Sequence, residues 1–137
     1  MLPPDAAARE RALDISASFL VQAPAGSGKT ELLTQRFLAL LAAVDNPESI
    51  VAITFTRKAA GEMRSRIAGA LANAQKPRPA EDHAQRTWEL ACAALDDHGR
   101  LQRQRVEEIR VVARITASDV QRLRRQIEPV GSKRLID

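Results

Sequence analysis

The sequence predicts an α/β fold: a small parallel sheet with flanking helices and a helical C-terminal part. Three observations predict it. Phe19–Gln22 and Ile50–Phe55 are short runs of apolar and β-branched residues, suited to buried strands. Each precedes a stretch whose apolar residues recur three and four apart, the period of a helix. Between the first run and the first long helix lies Ala23-Pro24-Ala25-Gly26-Ser27-Gly28-Lys29-Thr30, a Gly-rich turn of the kind that joins a strand to a helix around an anion.

The elements follow in chain order. Asp5 can cap a short helix through about Leu13. After the Gly-rich turn, Leu33, Phe37, Leu40, Leu41 and Val44 mark the inner face of a helix from about Gly28 to Ala43, which Asp45-Asn46-Pro47 breaks. Strand, helix and strand over residues 19–55 make a βαβ unit, with a right-handed crossover and parallel strands. Thr56 or Arg57 opens the next helix, with Ala60, Met63, Ile67, Ala70 and Leu71 on one face and an end near Asn73. Pro77 and Pro79 make residues 75–80 a linker. A helix from about Glu81 to Asp96 turns Trp88, Ala91, Cys92 and Leu95 inward, and Gly99 stops it. Ile109–Ile115 alternates like a short strand, although Val106, Ile109 and Val112 also fit a helix. Thr116 or Ser118 can cap a last helix through Ile127. At most three strands are expected, too few to finish a sheet on both sides.

Bulk properties bound the function. With 137 residues the chain can bury a core of its own. Apolar content of 45% and charge of 28% are those of a soluble globular protein, and with aromatics at 3% the core must rest on Leu, Ile, Val and Ala. The net charge of +4, carried mostly by Arg, leans towards polyanionic partners. Cys92 is the single cysteine, so no internal disulfide forms, and its place in a helical pattern makes it a core residue. No run is long and apolar enough for a membrane, and Met1–Asp5 does not open a signal peptide. A cytoplasmic location is expected. His83 and His98 stand alone, without metal-ligand spacing.

The chemistry sits in two segments. Gly26 and Gly28 can take backbone angles closed to other residues, turning consecutive N–H groups inward around a polyphosphate. The following helix points its positive end at the same place. Lys29 can reach the outer phosphates, and the Thr30 hydroxyl can ligate Mg²⁺. The strict pattern starts with Gly where this chain has Ala23. The second segment, Thr54-Phe55-Thr56-Arg57-Lys58, follows the second strand, at the strand ends where parallel sheets bind ligands. There an aromatic ring can stack on a base while Arg57 and Lys58 neutralise phosphates. Phe55 equally fits a core position at a strand end. Arg57, Lys58, Arg64 and Arg66 equally fit a solvated helix face.

Ala25-Gly26-Ser27-Gly28-Lys29-Thr30, followed some 25 residues later by Thr54-Phe55-Thr56-Arg57-Lys58-Ala59-Ala60-Gly61-Glu62-Met63, resembles the start of a UvrD/Rep-type superfamily 1 DNA helicase. The wording around Phe19–Thr30 is most similar to the RecB/AddA-like branch. The resemblance is strong over residues 5–73 and weaker to about 97. It implies a partial P-loop NTPase (RecA-like) domain over residues 1–97, with an Arg-rich segment at 98–137. It implies ATP and Mg²⁺ held by Ala25, Gly26, Ser27, Gly28, Lys29, Thr30 and Glu31, with Lys29 and Thr30 catalytic. It implies single-stranded DNA along Thr54, Phe55, Thr56, Arg57 and Lys58. The activity implied is ATP hydrolysis coupled to translocation and unwinding in DNA repair. The rest of the helicase, or nuclease subunits, would be partners.

The chain departs from that family in several places. The family has a Gln before the loop that reads adenine; the nearest counterparts here are Arg9–Arg11, and Gln22 stands too near the loop to be it. The family's acidic Mg²⁺ motif has no good match in Asp96-Asp97 or Glu107-Glu108, and Arg114–Asp119 is a faint echo of a later DNA-contact motif. Residues 100–125 fit a DNA-facing surface, a diverged segment or out-of-frame sequence. Two other readings therefore stand beside the helicase fragment: a non-catalytic nucleotide- or DNA-binding module, and a remnant of a truncated gene.

Overall fold

A computed structural model describes residues 5–45, 47–95 and 111–113. In chain order these form α1 (Ala6–Ala12), α2 (Lys29–Ala43), a 3₁₀ turn (Pro47–Ser49), β1 (Ala52–Thr54), α3 (Arg57–Asn73), α4 (Asp82–Leu95) and β2 (Val111–Ala113). The four helices expected before residue 97 thus form within a residue or two of their sequence bounds.

The core is where α2, α3 and α4 meet. Phe37, Leu38 and Leu41 from α2 pack with Ile50, with Ala60, Met63, Ile67 and Leu71 from α3, and with Ala91 and Ala94 from α4. Leu38, Leu41 and Ile67 are among the largest wholly buried side chains. Truncating any one of them to Ala removes about 2–5 kcal/mol of stability. A smaller cluster of Ala12, Leu13 and Leu32, with Phe19 and Leu90 against it, seats α1 and the chain after it.

Some inner positions differ from expectation. Leu33 is 52% exposed and Leu32 is buried instead. At about 100° per residue Leu33 lies roughly 140° round the helix from Leu38, outside the face that α3 and α4 cover. Ala91 and Ala94 form the buried stripe of α4, and Trp88, Cys92 and Leu95 are half-buried beside it. Small alanines let α4 approach closely. The Trp88 Nε1 donates to the Lys76 carbonyl at 3.1 Å, and the Cys92 thiol to the Ala74 carbonyl at 3.6 Å. Cys92 is therefore an edge residue rather than a core one.

The sheet is the main correction. Phe19–Gln22 forms no strand, and Leu20 is 74% exposed. A strand exists through the ladder it shares with a neighbour, and among the described residues no strand pairs with this segment. Ile50–Phe55 narrows to β1. Its partner is β2, in parallel register with Ala52 opposite Val111 and Thr54 opposite Ala113. The expected βαβ unit over residues 19–55 is thus absent; what pairs with β1 is a segment from the C-terminal part of the chain. The alternation that suggests a strand over Ile109–Ile115 holds for residues 111–113. Gly99, His98, Asp96-Asp97, Glu107-Glu108, the capping of a last helix by Thr116 or Ser118, and Arg114–Asp119 lie outside the described residues, as does the rest of the 98–137 segment. Among the described residues no helix is long and apolar enough to cross a membrane.

Candidate nucleotide-binding site

The Gly-rich loop adopts the backbone its sequence demands. Gly26 and Gly28 have φ of 78° and 80°, the left-handed region that side chains avoid. Gly28 is the N-cap of α2, and no side chain caps the helix there. The Ser27 N–H donates to the Pro24 carbonyl at 3.3 Å, closing the turn. The first N–H groups of α2 have no carbonyl one turn back to bond, so they remain available. They point out of a helix N-terminus, where an anion is favoured. Ser27 Oγ is buried without a hydrogen-bond partner. Unpartnered donors around a tight loop are the donor set that a polyphosphate fits.

Two cations fold over this loop. The Lys29 ammonium donates to the Ala23 carbonyl and, at 3.2 Å, to the Pro24 carbonyl. Arg9, from α1, donates through Nη2 to the Ser27 carbonyl and through Nε to Asp5 Oδ2 at 2.6 Å. Asp5, the expected cap of α1, makes no side-chain cap and holds Arg9 instead. The Arg9 guanidinium lies so near the loop that a Cβ added at Gly28 would stand 3.2 Å from Nη1. Ala25, Gly26 and Thr30 are exposed, leaving the Thr30 hydroxyl open to a metal ion on the loop. Glu31 faces elsewhere, lining a second cavity of about 320 Å³ with Asn73, Lys76 and Trp88.

Beside the loop opens a cavity of about 230 Å³. Ala8, Ala12, Phe19 and Leu32 give it apolar walls, and Asp5, Arg9 and Gln22 bring polar groups. Its far wall is held by Arg36, which donates to the carbonyls of Ala12 (2.5 Å), Asp14 (3.0 Å) and Ala17 (2.8 Å). The same guanidinium stacks 5.3 Å from the Phe19 ring centre. One side chain of α2 thus ties down the chain that approaches the loop. Asp14 accepts from the Ser16 hydroxyl and amide, which hold its carboxyl below the usual carboxylate range, with the Arg36 charge adding to this. Arg86 of α4 pairs with Glu10 of α1, and Gln35 of α2 donates to Thr87 at 3.0 Å. The reach of Arg9 to Ser27, of Arg36 to Ala12 and Ala17, and of Arg86 to Glu10 carries no local signal in the sequence, because each joins residues distant along the chain.

The second segment is built differently. Thr56 caps α3, its Oγ1 accepting from the Ala59 N–H at 3.1 Å. Thr54 donates its hydroxyl to the Thr56 carbonyl at 3.1 Å. Both hydroxyls are therefore committed to the turn. Phe55 projects from it 96% exposed, so it is no core residue. Arg57, Lys58, Arg64 and Arg66 are exposed as well. His83 stands beside Glu81 at 3.4 Å, and among the described residues no group of His, Cys, Asp and Glu could hold a metal ion.

Comparison with known proteins identifies relatives of this chain. The chain is 54% identical over 66 residues to DNA helicase II of Haemophilus influenzae, covering 47% of the chain and 9% of the relative. It is 40% identical over 86 residues to an ATP-dependent helicase/nuclease subunit from Oceanobacillus iheyensis, covering 60% of the chain and 7% of the relative. The corresponding Clostridioides difficile protein is 39% identical over 71 residues, half of the chain and 6% of the relative. The chain thus spans less than a tenth of the length of these relatives. No solved structure matches it significantly. The profile of the UvrD/REP helicase N-terminal domain matches residues 5–132, and the chain belongs to that family.

Proposed function

We propose that this chain is the ATP-binding part of a DNA helicase, seating Mg²⁺·ATP on the loop Ala25–Thr30 and single-stranded DNA against Phe55, Arg57 and Lys58. The observation that carries the reading is the loop itself. Two glycines in the left-handed region lead into a helix with no side-chain cap, with an ammonium group folded on the adjacent carbonyls. Lys29 would leave the Ala23 and Pro24 carbonyls for the β- and γ-phosphates, where both partners of the bond carry charge. Thr30 would supply a hydroxyl ligand to Mg²⁺, and the ion would draw charge from the transferring phosphoryl group. Translocation and unwinding, nuclease or other partner subunits, and a cytoplasmic place in DNA repair belong to the same proposal, by analogy with the relatives named above.

The test is equilibrium binding of a fluorescent ATP analogue with Mg²⁺ to the 137-residue chain. Binding is expected, and Lys29→Ala should weaken it by about 1.5–3 kcal/mol, roughly ten- to a hundredfold, as loss of a charged hydrogen bond does. Nucleotide affinity indifferent to Lys29 would sink the reading. Hydrolysis measured in the same sample separates the helicase part from a binding module: turnover stimulated by single-stranded DNA favours the first, binding of both ligands without turnover the second.

A further inference from the structure

Arg9 belongs to α1, yet its guanidinium lies against the phosphate loop. Nε donates to Asp5 Oδ2 at 2.6 Å, and Nη2 donates to the Ser27 carbonyl. Among the described residues Nη1 has no acceptor. It stands 3.2 Å from where a Cβ on Gly28 would lie, so its two N–H groups border the N-cap of α2. The first N–H groups of that helix are uncapped, and Ser27 Oγ is buried without a partner. Arg9, Ser27 and Lys29 also line one cavity of about 230 Å³. Backbone donors and two cations thus converge at one mouth.

The two cations differ in kind. Lys29 is engaged by the Ala23 and Pro24 carbonyls and must swing away from them to meet a ligand. Arg9 is held at two points, by Asp5 at the start of its own helix and by Ser27 on the loop, and its side chain is only 31% exposed. A planar guanidinium can keep both partners and still offer Nη1 to a phosphate oxygen. A charge fixed in this way needs no reorganisation on binding, and its partial burial weakens screening by salt. We infer that Arg9 is a phosphate-contacting residue of the site: its Nη1 donors meet the phosphate seated at Gly28, beside the N–H groups of α2, whatever base the nucleotide carries. This rests on the proposal that the loop binds nucleotide.

The experiment is competition of ATP and of inorganic pyrophosphate, each with Mg²⁺, against a fluorescent nucleotide on the 137-residue chain. Pyrophosphate has no base, so only groups that serve phosphates act on it. Arg9→Gln should weaken ATP and pyrophosphate by the same factor, about tenfold, as loss of a charged hydrogen bond does. The fall of affinity with added salt should also become shallower, since one cation fewer meets the phosphates. Arg9→Lys restores the charge and should recover about half of that loss on a logarithmic scale. Asp5→Asn removes a carboxylate from the cavity and leaves Arg9 on Ser27, so pyrophosphate should bind as tightly or up to about threefold tighter. This variant decides the question should Arg9→Gln unfold. Loss of ATP affinity without loss of pyrophosphate affinity would put Arg9 on the nucleoside and overturn the inference. Equal loss with an unchanged salt dependence and no recovery in Arg9→Lys would make Arg9 a prop of the loop and overturn it too, as would weaker pyrophosphate binding in Asp5→Asn. Indifference of both ligands to Arg9→Gln, with binding still dependent on Lys29, fells this inference alone. If neither ligand binds the native chain, the loop proposal falls and takes this inference with it.

Discussion

The two junctions that lead into α2 and α3 are built in opposite ways. At Gly28 the helix begins from a left-handed glycine with no capping side chain, so its first N–H groups stay unpaired. Lys29 and Arg9 turn inward onto the loop's own carbonyls. At Thr56 the helix begins with a side-chain cap, and the aromatic and basic residues around it face solvent. A given N–H at a helix start can meet a ligand or a capping side chain, but not both at once. The first junction is therefore fitted to an anion gripped by backbone, the second to a ligand met by side chains.

The sharpest way to break this contrast is Gly28→Ala. The added Cβ would need a φ that L-residues resist and would press on Arg9 at 3.2 Å. The left-handed conformation alone costs about 1–2 kcal/mol. Nucleotide affinity should drop about tenfold or more while DNA binding is retained, measured by titration of each ligand. Equal loss of both would mean the junctions are not separate sites.

Phe55→Ala tests the other side. The ring is exposed, so thermal unfolding should barely move. Affinity for an oligothymidine should fall by about 1–3 kcal/mol, the worth of one base stacked on an aromatic ring. An unstacked Phe55 would leave that affinity unchanged. Thr56→Ala inverts the pattern: loss of the cap should lower stability by about 1 kcal/mol with nucleotide affinity unaltered. Denaturant unfolding monitored by circular dichroism reads it.

What the sequence discloses about these junctions follows the range of the forces involved. Gly26, Gly28, Lys29 and Thr56 act within a few residues of themselves, and their roles in the backbone are legible from spacing. The helices after them are legible for the same reason. Phe19–Gln22 is not, because apolar β-branched composition states only that a segment would suit a ladder, and the ladder partner must come from elsewhere. β1 finds its partner at Val111–Ala113, far along the chain. Leu33 departs from its expected place because the helical period fixes a stripe but not which neighbours cover it. The hold of Arg9 on the Ser27 carbonyl and of Arg36 on the Ala12, Asp14 and Ala17 carbonyls is invisible in the sequence, since charge on a helix face reads as solvated until the carbonyls it reaches are known.

The smallest effect concerns how the chain arrives at the first junction. Asp14 accepts two bonds from Ser16, and Arg36 holds the Asp14 carbonyl while its charge favours the carboxylate. The folded pKa lies below the ordinary value of 3.8, so the ionised form is favoured by folding. Its stabilising contribution is present above the unfolded pKa and disappears as pH falls through the folded one. The group is solvent-exposed, so this contribution is minor at neutral pH. Ser16→Ala should return the Asp14 titration, followed by NMR, towards the ordinary carboxylate range, and should flatten the acid side of the stability profile below about pH 4. Nucleotide affinity at neutral pH should not change, because Arg36 still ties the Ala12, Asp14 and Ala17 carbonyls to α2. If affinity does fall, the Asp14 turn itself positions the loop, and the first junction extends further back along the chain than Phe19.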